Sequence, residues 1–217
     1  MHRPNLRLPA ALLSAALLVA AAPAAMAQDA SEREEAPRST AATTLRVLAG
    51  GFTGLVAHES GHIITGLIVD AGPGFKRLDY GVIPFFAVTH EPVSRGREFA
   101  ISVSGFTVQH AVNEWLLSQG PPLRDRSRPF LKGWFAFNVA TSSLYAVSAF
   151  ARTGPPERDT RGIAISVGKS GIPEPVVGTF VLVPAVLDGV RYLRDDPAWA
   201  RWTSRAAKVG LVLLAIR

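Results

Sequence analysis

The chain of 217 residues contains no cysteine. No disulfide staples its fold, and any metal it holds must rest on histidine, aspartate or glutamate. Charge is sparse: Asp, Glu, Lys and Arg make up 18% of the residues, against 48% apolar. That balance is rich in apolar residues for a soluble domain, and the length suits one domain or one compact membrane bundle. Internal repeats are absent. The net charge of +6 is spread through short connecting segments: Lys76 and Arg77; Arg124, Arg126 and Arg128; Arg158 and Arg161; Arg191 and Arg194. Such a distribution reads as membrane flanks, not as a nucleic-acid patch. Because bases flank nearly every segment, the charge bias sets no orientation.

The amino terminus has the layout of a secretory signal over residues 1–27. Arg3 and Arg7 form the charged end, Ala10 to Ala22 the apolar middle, and Ala25-Met26-Ala27 a small-x-small cleavage site. The apolar run is short, alanine-rich and closed by Pro23, which favours cleavage over an uncleaved first membrane helix. The pattern looks bacterial, which makes the cell envelope the expected compartment. Residues 28–42 are small, polar and mixed in charge with no apolar period, and are expected to form a flexible tail. The remaining stretch, 43–217, is expected to be a single membrane-embedded domain.

Within that domain the apolar pattern predicts a mainly α fold, a polytopic helical membrane bundle of about four helices with a small strand or hairpin insert near residues 79–90. The helices are expected at Leu45–Val69, Phe99–Leu117, Phe130–Ala151 and Pro175–Val190, with a short terminal apolar helix at Ala206–Ile216. Gly50, Gly51, Gly54, Gly61 and Gly66 would each cost a soluble helix about 1 kcal/mol, whereas in a membrane bundle small residues let helices approach closely. Val82-Ile83 and Phe85 to Thr89 have strand composition broken by Pro84, which suits an edge strand or hairpin. An exposed edge there is a place for an extended peptide to pair.

One short stretch carries chemistry: His58-Glu59-Ser60-Gly61-His62, inside the first apolar run. Positions i and i+4 share a helix face, so both imidazoles reach one ion, and Glu59 lies one step round from His58. Two histidines, a further ligand and an open position for water form the arrangement of a zinc metalloprotease. The competing reading is a wet helix face that happens to carry two histidines and an acid. Apolar flanks on both sides argue against it, since ionisable groups inside a membrane-like helix default to function. His90 reads as a loop histidine. His110, in a helix also interrupted by Gln109, Asn113 and Glu114, reads as an ordinary buried or interfacial histidine, with a supporting role behind a metal as the alternative.

These residues resemble the site-2 protease family of intramembrane zinc metalloproteases. The first motif matches the family's H-E-x-G-H. The segment from Arg97 to Gln109, with Gly105, looks like the family's next helix, where alanine-glycine-proline is followed by an asparagine; Phe106 and Gln109 stand in place of the proline and the asparagine. The resemblance covers residues 45 to 165, and only its first motif is specific. It implies peptide-bond hydrolysis in or near the membrane, Zn²⁺ on His58 and His62, Glu59 as the general base, and Gln109 near bound substrate.

The family's third zinc ligand is an aspartate in a proline-bearing segment ending Leu-Asp-Gly, and two residues here compete for that role. Asp188 copies the core in Leu187-Asp188-Gly189, but with Val181 in place of asparagine. Asp159 lacks the leucine and glycine but follows Pro155-Pro156 directly after the third helix, where the family order places the ligand, and is preferred. The partners implied are a lipid bilayer and a membrane protein or peptide substrate, with no nucleic acid; the location implied is the bacterial inner membrane, multi-pass. A catalytically inactive scaffold or chaperone of the same fold is the alternative function. A soluble secreted zinc protease is a third.

Overall fold

The computed structural model describes residues 39–80, 83–119, 121–124 and 128–214. The expected signal segment 1–27 and most of the expected tail lie outside the described residues. The fold is mainly helical with one small antiparallel two-stranded sheet. In chain order it runs α1 (Thr40–Ile68), β1 (Gly74–Tyr80), β2 (Ile83–Thr89), α2 (Arg95–Ser118), a single turn α3 (Pro121–Arg124), α4 (Pro129–Ala151), α5 (Asp159–Ser166), α6 (Glu174–Leu193) and α7 (Ala198–Leu213).

The first helix starts earlier than its apolar period suggests. The Ser39 hydroxyl accepts a hydrogen bond from the Ala42 N–H at 3.3 Å, capping a helix that begins at Thr40. The last helix likewise starts at Ala198, eight residues before the expected Ala206, because Arg201, Ser204 and Arg205 hide the period. Pro184 sits inside α6 and is buried there.

The hairpin is longer than expected. Its register runs from Gly74 opposite Thr89 to Tyr80 opposite Ile83. The first strand was not legible because Lys76 and Arg77 are both exposed, so no apolar alternation marks it. Pro84 is tolerated in β2 because the sheet has only two strands. Phe75 and Phe86, diagonal neighbours across the pair, meet edge to face at 5.9 Å.

Helices α1 and α4 pack backbone to backbone. A Cβ at Gly50 would lie 2.0 Å from the Phe130 carbonyl oxygen, and one at Gly133 would lie 2.0 Å from that of Val47. α1 also packs on α2, and α6 lies between α4 and α7. Two apolar clusters close the ends. One joins Phe99, Val103 and Phe106 of α2 to Ile163 of α5, Val177 and Val181 of α6, and Leu211 of α7. The other gathers Leu116 and Leu117, Leu123, and Phe130, Leu131, Trp134 and Phe135. Between them the interior is polar, with His58, His62, Gln109, Asn113, Asn138, Ser142 and Asp188 all buried. The outer faces carry large exposed apolar side chains: Leu45, Leu48, Phe52, Ile64 and Ile68 on α1, Leu144, Val147 and Phe150 on α4, and Trp199 and Trp202 on α7.

By length and composition one helix among the described residues, Glu174–Leu193, is apolar enough to cross a membrane. In α1 the site residues His58, Glu59 and His62 depress the average. In α2 the polar run Gln109, His110, Asn113 and Glu114 does the same.

The glycine contacts generate a stability prediction. Gly133→Ala should lower stability by about 1–3 kcal/mol, since its Cβ meets backbone that has nowhere to go. Gly51→Ala, whose nearest neighbours stand at 3.8 Å, should be neutral or gain up to about 1 kcal/mol from helix propensity. Thermal unfolding of the two variants in detergent checks the pair.

Candidate metal centre

His58 and His62 lie one helical turn apart on the buried face of α1, as their spacing requires. Opposite them stands Asp159, the preferred third ligand, which is the first residue of α5. The distances are 3.2 Å between the two Nε2 atoms, 3.0 Å from His58 Nε2 to Asp159 Oδ2, and 3.3 Å from His62 Nε2 to the same oxygen. Tetrahedral ligand atoms 2.0–2.1 Å from a zinc ion lie about 3.3 Å from one another. The triangle therefore has the dimensions of one face of such a tetrahedron. Burial alone would push the Asp159 carboxyl up, but the His62 and His58 imidazoles override it and hold the group well below the usual carboxylate range.

Each candidate ligand has its own support. His62 Nδ1 donates to the Ile101 carbonyl at 2.8 Å, which leaves Nε2 as the lone-pair nitrogen. His58 is stacked on Tyr145 of α4 at 5.9 Å and meets the edge of Phe106 at 5.6 Å. Asp159 is delivered by the turn after α4. Arg152 ends that helix in the left-handed region, φ 54°, and Gly154 follows at φ 104°. Arg158 then forks onto Glu174 at the start of α6, Nε to Oε1 at 2.7 Å and Nη2 to Oε2 at 2.7 Å. Its Nη1 donates to the Gly154 and Pro155 carbonyls, and Thr160 donates to Glu174 Oε1 at 2.8 Å. Both sides of Asp159 are thus tied to one carboxylate.

Two glycines make the approach possible. A Cβ at Gly105 would sit 2.5 Å from His62 Nε2 and 2.6 Å from His58 Nε2. A Cβ at Gly162 would sit 2.1 Å from Ser102 Oγ. Without these glycines α2 could not lie against the imidazoles, nor α5 against α2.

The centre opens into a cavity of about 1090 Å³, ample for an extended peptide segment. His58, Glu59, His62, Tyr145 and Asp159 line it, along with Phe86 to Thr89 of β2 and Leu144 of α4. Lys76 of β1 bridges to Glu157 at 2.6 Å across the mouth, and that hydrogen bond holds the Glu157 carboxyl below its ordinary value. His90 is a rim residue, 3.3 Å from Glu98 Oε2.

The other expected site residues are elsewhere. Gln109 does not line the cavity. It is buried between α2 and α4, where its Oε1 accepts from Ser142 at 3.4 Å. His110 is buried with Nε2 unpartnered. Asp188 is fully buried in a separate cluster, accepting from Asn113 at 3.0 Å, Ser204 at 2.6 Å, Lys208 at 2.9 Å and Arg191 at 3.2 Å. Those donors saturate it, so the Leu187-Asp188-Gly189 likeness marks an ion-pair anchor and no ligand to this centre. Sequence reading did not find Tyr145, Arg158 or Glu174. The basic residue beside Asp159 was visible, but its partner lies 16 residues on.

Compared with family models, with curated proteins and with solved structures, the chain finds no match.

The two aspartates should separate cleanly. In protein purified from detergent, Asp159→Ala should lose bound zinc, read by elemental analysis. Asp188→Ala should leave zinc uptake unchanged yet lose about 1–3 kcal/mol of stability, because Asn113 and Ser204 lose their buried acceptor while Lys208 and Arg191 keep only Glu114 and, for Arg191, Asp196.

Proposed function

We propose that the chain is an intramembrane zinc metalloendopeptidase, a divergent relative of the site-2 proteases, that hydrolyses peptide bonds of membrane-associated substrates. The observation that carries the reading is the His58–His62–Asp159 triangle with Glu59 beside it in one cavity. The fold alone suits an enzyme or a scaffold; the donor set beside Glu59 supports the enzyme.

His58, His62 and Asp159 hold the ion. When bound, zinc supplies a Lewis acid that polarises the scissile carbonyl and acidifies a water. Glu59 takes the proton of the attacking water and returns it to the leaving amine. Tyr145 and Phe106 restrain the His58 ring on two sides. β2 presents Phe86 to Thr89 to the cavity, and its pairing with β1 leaves its other edge for an extended substrate, which would be held by main-chain hydrogen bonds.

Membrane embedding is supported by an inverted distribution of side chains. Lys208 and Ser204 of α7 point inward while Trp199 and Trp202 are 62% and 65% exposed. α1 likewise buries its two histidines and exposes Phe52, Ile64 and Ile68. A soluble protein has the opposite arrangement, and large exposed apolar surfaces mark contact with lipid or another apolar partner. On this reading α1, α2, α4 and α6 form the bundle in the bacterial inner membrane, although only α6 passes on hydropathy alone.

A second reading, a catalytically inactive scaffold or chaperone for membrane proteins, draws on Gln109. The residue in the place of the family's substrate-binding asparagine is turned away from the cavity.

Glu59→Gln decides between them. The expected outcome is a fall in peptide hydrolysis of at least about 100-fold with zinc content unchanged, in protein that stays in the membrane fraction through an alkaline carbonate wash. A cellular role that survives Glu59→Gln intact favours the scaffold, and release by the wash removes the membrane from the proposal.

A further inference from the structure

Behind the metal centre, away from the cavity, α2 and α4 face each other across a seam of buried polar side chains. On α4 these are Asn138 and Ser142, at i and i+4 on one face. On α2 they are Gln109 and Asn113, one and two turns beyond Gly105, which lies against the imidazoles. Contacts tie the seam together: Ser142 to Gln109, Asn138 to Asn113 at 2.9 Å, and Asn113 to Asp188 at 3.0 Å.

The chemistry of this chain fixes the amide orientations. Asp188 is met by Lys208, Arg191 and Ser204, so it is an acceptor. Asn113 must therefore present its Nδ2 to Asp188 and its Oδ1 to Asn138. Asn138 must then present Nδ2 to Asn113, which turns its own Oδ1 away from any donor. Gln109 uses Oε1 on Ser142, leaving Nε2. Of these seam residues and His58, three atoms remain with no partner: His58 Nδ1, Gln109 Nε2 and Asn138 Oδ1, each on a residue only 1% exposed.

With an ion on the His58 Nε2 lone pair, its Nδ1 carries the proton and is a donor. The set is two donors and one acceptor, and none pairs with another. Water accepts twice and donates twice, and buried waters commonly make about three such bonds to otherwise unsatisfied groups. We infer that a short file of ordered water occupies this seam, accepting from His58 Nδ1 and Gln109 Nε2 and donating to Asn138 Oδ1. It couples the metal centre to the Asn113–Asp188 anchor and holds His58 in the tautomer that keeps its Nε2 lone pair on the ion. Gln109 is on this account a positioning residue. His62 needs no such water, because the Ile101 carbonyl performs the same service directly.

The inference rests on the metal-centre reading for the role of His58, while the water site stands on the unpartnered atoms alone. Its test is a crystal structure of the full chain from a lipid mesophase, at a resolution that shows water, with and without zinc. Water within about 2.7–3.2 Å of at least two of the three atoms is expected in both. Direct pairing among them, or a dry closed seam, overturns the proposal whatever the zinc content.

A second measurement reads the positioning role. Gln109→Leu should weaken zinc binding about tenfold, as loss of a group behind a metal ligand does, while Gln109→Asn, which keeps an amide N–H donor for the water, should recover most of the wild-type affinity. The melting temperature of the metal-free protein should be the same in both. Wild-type affinity in Gln109→Leu overturns the role. Absence of zinc from the wild type overturns the metal reading and leaves the crystallographic test of the water standing.

Discussion

Three groups that all favour positive charge between them, two imidazoles and a carboxylate, meet within 3.3 Å in the interior. The rest of the architecture follows from making that meeting possible. A buried carboxylate needs a cation or a proton, and each imidazole needs its outer nitrogen occupied, or the arrangement would come apart in a low dielectric. The chain supplies the pieces from three elements that are far apart in sequence: α1 for the histidines, α2 for the surface they press against, and α5 for the aspartate. Gly105 and Gly162 are small because two of these surfaces touch there. Arg158 and Glu174 are charged because the aspartate must be delivered at one height and not another.

The same constraint accounts for the odd interior. A core built only of leucine and valine would bury the imidazoles without partners. This bundle instead carries a polar layer through its middle and places its apolar clusters at the two ends. The outward faces compensate, with exposed leucine, isoleucine, phenylalanine and tryptophan on α1, α4 and α7. In water that surface would drive association. Against lipid it costs nothing, and the polar layer becomes the feature that specifies which helix faces pack inward, because lipid tails supply no hydrophobic force between helices.

How much of this was legible in the sequence depends on whether the contact is local. His58, Glu59 and His62 sit within one turn, so helical geometry alone assembles them. The four long helices could be read because their apolar runs are long, although α1 begins at a serine cap and α7 at a proline that no periodicity announces. Asp159 was legible only by its order in the chain, and nothing local told it from Asp188. The hairpin's first strand was hidden by its two exposed bases. Tyr145 looked like any aromatic in an apolar helix, and the Arg158–Glu174 fork depends on a turn whose left-handed Arg152 has no sequence signature. Side chains whose meaning comes from a distant partner read as ordinary until the partner is placed.

The fate of Asp188 shows why the distinction matters. Its neighbours, Leu187 and Gly189, imitate a ligand motif, yet it is surrounded by Lys208, Arg191, Ser204 and Asn113. Arg191 also reaches Glu114 and Asp196, and Lys208 reaches Glu114. This network ties α6 and α7 to the far end of α2. A carboxylate already sharing two cations has little affinity left for a third, so moving an ion here would first require removing lysine and arginine. Asp159 faces the opposite situation: imidazoles can bind a dication through a ring-nitrogen lone pair, so an ion can sit among them without leaving the carboxylate unpaired. Two aspartates in similar burial thus differ in what their neighbours can give up. That difference, more than the letters around them, separates an anchor from a candidate ligand.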